Sequence, residues 1–132
     1  MSVIKNRRYS SDGKTFYDVN QLIELSKGFP ILKVPLKDLE HNLRDECWGD
    51  DNCGVSKEMR TPLNVYKNRD KGEFFKKHYD RAMELNLETP ILIDKNNNII
   101  DGNHRLLKAF IQNKEFIPAI RFNELPESTI IK

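Results

Sequence analysis

The stretch from Thr89 to Phe122 constrains this chain more than any other. Pro90-Ile91-Leu92-Ile93-Asp94 is a short apolar run of strand-forming residues. The turn formers Lys95-Asn96-Asn97-Asn98 follow, and Ile99-Ile100 begins a returning strand. From Asn103 to Gln112 the apolar period becomes helical, with Leu106, Leu107, Phe110 and Ile111 on one face. Asn113 and Lys114 end that helix, and Phe116 to Phe122 reads as a last strand. A strand–turn–strand–helix–strand run of this kind predicts an α+β fold, with a small mixed sheet and flanking helices.

The rest of the chain supplies the flanking elements. Asp18 and Gln21 have the spacing of a capping box, and Val19, Leu22, Ile23 and Ser26 share one helical face. Gly28 and Pro30 stop that helix. Ile31 to Val34 is expected as a strand, and Pro35 as the start of one helical turn, Leu36 to Leu39. His41 to Pro62 is expected to be irregular. A loop of that length in a small domain tends to be functional or disordered, and its Trp48, Cys47 and Cys53 argue against simple disorder. Lys71 to Asn86 is expected as a helix, with Phe74, Phe75, His78, Ala82 and Leu85 at helical spacing. The expected organisation is an arm (1–16), one domain (17–122) and a loosely held tail (123–132).

Charge narrows the function classes. The chain has 132 residues, 22 Lys plus Arg against 20 Asp plus Glu, and a net charge of +2. That balance argues mildly against nucleic acid as the main partner, although Lys5, Arg7 and Arg8 form a small basic patch. No apolar run is long enough to span a membrane, and Met1 to Ser11 has no signal-like apolar core, so the expectation is a cytoplasmic protein without a membrane partner. Cys47 and Cys53 do not have a zinc-site spacing, and no metal centre is expected.

Asp101-Gly102-Asn103-His104-Arg105 is the segment with the clearest chemistry. Gly102 lets the chain leave the strand sharply and brings backbone N–H groups near a ligand. The helix that begins there has unsatisfied N–H donors and a positive end. His104 and Arg105 add donors, the latter as a planar fork matched to phosphate oxygens. Together they make a compact anion site, most simply a phosphate site. The structural alternative is a plain turn, in which Asp101 caps the helix or pairs with Arg105 and His104 is a core histidine.

These residues and their context resemble the ParB/sulfiredoxin superfamily. The likeness is carried by Asp-Gly-Asn-His-Arg after Thr-Pro-Ile-Leu-Ile-Asp and the Asn-rich turn. It extends to Val19–Leu25 ahead of Val34-Pro35-Leu36, to Asp45-Glu46-Cys47-Trp48, and to His78-Tyr79-Asp80-Arg81, so most of 17–122 is covered. The local flavour is that of free serine kinases and stand-alone ParB-like domains. The resemblance implies a nucleotide cofactor, ATP or ADP ahead of CTP, with Mg²⁺ as an accompanying ion. It implies ligand contacts at Asp101, Gly102, Asn103, His104 and Arg105. Sulfiredoxins carry a Cys immediately before His-Arg where this chain has Asn103, which argues against sulfiredoxin activity. ParB proteins use an Arg-rich version and add a helix-turn-helix domain for which 132 residues are expected to leave no room. The acidic motif of the serine kinases is not clearly reproduced, so serine does not carry over as a substrate.

Further candidates sit outside the turn. Asp45 or Glu40 is the candidate base, with His104 as a third catalytic candidate. Trp48 would stack on a nucleobase, or else anchor the loop to the core. Lys108, one turn after His104, would reach a phosphate unless it is a surface lysine. Asp50 and Asp51 read as solvated acids. The leading expectation is a nucleotide-dependent phosphotransferase. The alternatives are a non-catalytic nucleotide- or DNA-binding module and a ParB-like nuclease.

Overall fold

An apolar strand flanked by two β partners needs cover on both faces, and that requirement organises the molecule. The computed structural model describes residues 7–48 and 53–131. In chain order the elements are β1 (Arg8–Tyr9), β2 (Tyr17–Asp18), α1 (Val19–Ser26), β3 (Leu32–Pro35), a 3-10 helix (Leu36–Arg44), α2 (Pro62–Lys67), α3 (Glu73–Glu84), β4 (Ile91–Asp94), β5 (Ile99–Asp101), α4 (Asn103–Ile111) and β6 (Phe116–Phe122). Short 3-10 turns at Lys57–Met59 and Glu127–Thr129 complete the described elements. The fold is α+β.

The main sheet has the order β3-β6-β4-β5, with β4 and β6 parallel and both outer pairs antiparallel. All four residues of β4 are buried. Ile91 and Ile93 pack with Leu39, Leu106 and Ile117 on one face. Leu92 packs with Val19, Leu22, Ile120 and Phe122 on the other. A strand covered on both faces is apolar throughout, which is why β4 shows no alternation. A third cluster, around Val65, Ala82 and Leu107, joins α2, α3 and α4.

Local chemistry explains several boundaries. Asp18 caps α1, its carboxylate accepting from the N–H groups of Asn20 and Gln21. The β4–β5 turn is held by Asp94, whose Oδ1 accepts from Asn96 N at 2.8 Å and Asn98 N at 2.9 Å. Asn97 takes the left-handed conformation with φ 64°. Buried Asn42 ties the 3-10 helix to this hairpin. Its side chain donates to Asn97 O at 2.9 Å and accepts from Ile99 N at 3.0 Å.

Three expectations need correction. The helical turn after Pro35 runs on to Arg44, because Leu36, Leu39 and Leu43 all find the core. The segment 41–62 is therefore not wholly irregular, since the 3-10 helix reaches Arg44 and α2 starts at Pro62. Thr61 caps α2 by accepting from Asn64 N, and Pro62 holds its first position, a helix start written in the sequence. The tail is also held. Thr129 is buried, Ile130 bridges to Tyr17, and Ile131 N donates to Phe16 O at 2.8 Å. Among the described residues no helix is long and apolar enough to cross a membrane.

Candidate functional site

The strand β5 ends at Asp101, and the chain turns through Gly102 at φ 122° into α4. No side chain caps α4, and its first turn closes through Leu106 N to Gly102 O at 2.9 Å. Asp101 is thus not the helix cap. Its carboxylate instead accepts from Arg7 Nη1 and stands 4.0 Å from Arg105 Nη1. Arg105 is only 19% exposed, and its buried Nε has no hydrogen-bond partner among the described residues. The space where a side chain at Gly102 would sit is filled by Ile91, so packing against β4 requires the glycine.

A cleft of about 490 Å³ opens beside this turn. Four cations from four separate segments line it: Arg7 from the arm, Lys27 after α1, Arg81 from α3 and Arg105 from α4. Among the described residues Asp101 is the only carboxylate in the lining. Lys27 also pairs with Glu24 at the surface. Like charges gathered in one concavity raise its positive potential, which favours an anionic ligand. Ile23, Phe29 and Leu92 give the same cleft an apolar wall.

A second cleft, about 660 Å³, lies against the turn as well and includes Asp45, Trp48, Asn103 and His104. Arg7, Asp101, Gly102 and His104 line both clefts. The loop limb that carries Asp45 and Trp48 is pinned by buried Arg60, whose carbonyl accepts from Cys47 N and whose guanidinium meets Glu46 at 3.3 Å.

Trp48 ends over a histidine pair. His78 Nδ1 and His104 Nε2 are 2.9 Å apart, so one ring donates to the other. Trp48 stacks on His78 at 4.6 Å and on His104 at 4.3 Å, while the two imidazoles are 5.2 Å apart. That separation is far shorter than two stacking distances, so both imidazoles lie on one face of the indole. His104 Nε2 is therefore engaged with His78, while the ring lines both clefts at the turn.

Both histidines are held neutral. Burial, then neighbouring His78, Arg81 and Arg105, pushes His104 down to about 3. Burial, then Lys77, pushes His78 down to about 4. The unfolded chain takes up these protons near pH 6.5, the folded chain only well below it, so stability is full above pH 6.5 and falls on acidification. One pKa unit is worth about 1.4 kcal/mol, so the two shifts set an upper bound of about 7 kcal/mol between pH 6.5 and 4, and solvent screening of the partly open rings should leave roughly 2–4 kcal/mol of it. Thermal melts of the wild type and His78→Phe across that range check this, with Trp48 emission as the probe. Parallel melting curves for the two proteins would contradict it. The comparison with the variant is needed because Asp94 acts in the same direction. Burial alone would raise its carboxyl, but the bonds from Tyr9, Asn98 and Asn96 hold it below its ordinary value.

The remaining sequence candidates are dispersed. Lys108 Nζ donates to Leu85 O at 2.6 Å, which ties α4 to the end of α3, and lines neither cleft at the turn. Glu40 lines a separate cleft with Lys37 and Lys114, and is not brought to the turn. Asp50 and Asp51 lie outside the described residues. Among the described residues no group of three or more His, Cys, Asp or Glu side chains is placed to hold a metal ion. Sequence reasoning missed Arg7, Lys27 and Arg81 as parts of the cleft. They lie on different elements and share no motif; the basic run at Arg7-Arg8, and Arg81 within His78-Tyr79-Asp80-Arg81, are the traces in the sequence. No known protein family, curated protein or solved structure matches the chain.

Proposed function

We propose that this chain is a nucleotide-binding protein of ParB/sulfiredoxin-like fold that acts as a phosphotransferase. The observation that carries the reading is the convergence of Arg7, Lys27, Arg81 and Arg105 on one cleft at the uncapped start of α4. Backbone N–H groups and guanidinium forks are the donors that phosphate oxygens require. The cleft is large enough for a nucleotide, and its apolar wall suits a heterocycle. ATP or ADP is the favoured ligand, with CTP as an alternative. Mg²⁺ would arrive on the phosphates, as it usually keeps few protein ligands.

Phosphoryl transfer needs cations around the phosphates and an acid or base near the acceptor. Asp45 lines the adjoining cleft, which meets the cationic one at the turn, and is the candidate for that second role. A thiol mechanism fits poorly. Burial, then Asp45 and Glu46, drives the Cys47 thiol far above its ordinary value, and the thiolate is the reactive form. A binding-only module is the second reading. The observation favouring it is that Asp101, the one carboxylate among the described residues of the cationic cleft, is held between two guanidiniums. The confined basic cleft and net charge of +2 favour a small anion over nucleic acid.

A thermal-shift screen with ATP, ADP, CTP and GTP, each with and without Mg²⁺, tests the proposal. A nucleotide at a hundredfold over its dissociation constant should add about 2.7 kcal/mol of stability. Absence of any shift would sink the nucleotide reading. A shift without phosphoryl transfer to any added acceptor would favour the binding-only module.

A further inference from the structure

The N-terminal arm folds back so that Arg7 stands at the turn. Val19 N donates to Arg7 O at 3.0 Å, and β1 pairs with β2 in the register Arg8 with Asp18 and Tyr9 with Tyr17. The loop between them is tied by Asp12, which accepts from Lys14 N and Thr15 N, each at 2.8 Å. The Tyr9 hydroxyl donates to buried Asp94. Behind β2 the chain's last residues add the Tyr17–Ile130 bridge. The backbone at Arg7 is therefore anchored from several sides, while its side chain stays 54% exposed.

Its position is specific as well. Among the described residues Arg7 is the one cation that lines both clefts, since His104 is held neutral. A guanidinium has five donors, and the contact with Asp101 uses Nη1 alone. An exposed ion pair by itself contributes little. The arm is thus far more elaborate than an Arg7–Asp101 contact would require. Asp101 keeps Arg7 and Arg105 beside each other, as two forks that a polyphosphate can bridge.

We infer that Arg7 is a ligand-binding residue, and that the β1–β2 arm is a strap holding its guanidinium against the phosphates where the two clefts meet. The inference rests on the reading of the cationic cleft as a phosphate site. The ligand class it implies is a polyphosphate, gripped jointly by Arg7 and Arg105, rather than a single phosphate seated on α4. A guanidinium between the two clefts would also stabilise charge on a phosphoryl group in transfer.

Calorimetric titration with inorganic pyrophosphate, which carries the phosphates without a base, tests this. Arg7→Ala should bind pyrophosphate about tenfold more weakly than the wild type, and Arg7→Lys should be intermediate because the fork is lost. Lys14→Ala removes a cation from the same arm but lines neither cleft, and should bind like the wild type. Tyr9→Phe loosens the strap while keeping the guanidinium. It should also weaken binding, with faster amide exchange across residues 7–18. Wild-type binding that Arg7→Ala leaves unchanged would overturn the strap and keep the phosphate site. Equal losses in Arg7→Ala and Lys14→Ala would reduce Arg7 to general electrostatics and overturn its specific role. If the wild type does not bind pyrophosphate, the phosphate reading beneath the inference falls too.

Discussion

Arg105→Ala is expected to weaken nucleotide binding by about 2–5 kcal/mol, the range for truncating one partner of a desolvated charged pair. The side chain is 19% exposed, and its Nε, buried at the turn, has no partner among the described residues. Among the described residues only Asp101, 4.0 Å away, pairs with Arg105, which therefore holds further donor capacity. The substitution should leave the fold intact, because α4 is held by Leu106, Leu107 and Ala109, which face away into the core. Removing one of several gathered cations relieves some of their mutual repulsion. Arg105→Lys should recover part of the affinity, because charge returns without the planar fork. The measurement is a nucleotide titration of all three proteins, with a thermal melt as the control for folding. Affinity in Arg105→Ala within twofold of the wild type would dismiss the cleft as a phosphate site.

The parts of this molecule legible in the sequence are those where local chemistry decides. Asp18 caps α1 because its carboxylate reaches N–H groups two and three residues on. The β4–β5 turn is readable because Asp94 and Asn97 do the turning through their own side chain and backbone. The span of β6 follows from its composition alone. The helix α2 was equally readable from Thr61-Pro62, but its six residues lie at the end of a stretch otherwise rich in turn formers. The length of the 3-10 helix and the docking of Thr129 depend on distant partners, and no local pattern announces them.

The site divides along the same line. The turn's chemistry sits in five consecutive residues and could be read. What each side chain does there is decided by segments far away in the chain. His104 meets His78 from α3 and Trp48 from the long loop. Lys108 is drawn to the Leu85 carbonyl. Arg105 and Asp101 are joined by Arg7, 94 residues before Asp101. Trp48 stands at the turn, stacked on two imidazoles. The reason is aromatic packing over a neutral histidine pair, and its part in holding a nucleobase is a separate question that a fluorescence titration with nucleotide answers.

Gly102→Ala should be the most damaging single substitution for the fold near the site. At φ 122° an L-residue is strained, by about 1–3 kcal/mol. The new Cβ would also stand 2.4 Å from Ile91 Cγ2, 2.7 Å from its Cβ and 3.3 Å from its Cα. Ile91 is wholly buried on the central strand β4, so it has nowhere to move. Overpacking of this kind costs about 1–3 kcal/mol more. A combined loss of about 2–6 kcal/mol corresponds to a melting temperature lowered by at least ~5 °C. Part of the loss should reappear as coupling with Ile91. The double variant Gly102→Ala/Ile91→Ala removes Cγ2, the nearest clashing atom, and should be less destabilised than the sum of the two single variants by about 1 kcal/mol or more. Backbone strain would remain in the double variant, so full recovery is not expected. Thermal melts of the four proteins in this cycle decide it. A melting point for Gly102→Ala within 2 °C of the wild type would show that the strand-to-helix turn adapts freely. In that case Gly102 would not be fixing where α4, and with it the Arg105 guanidinium, begins.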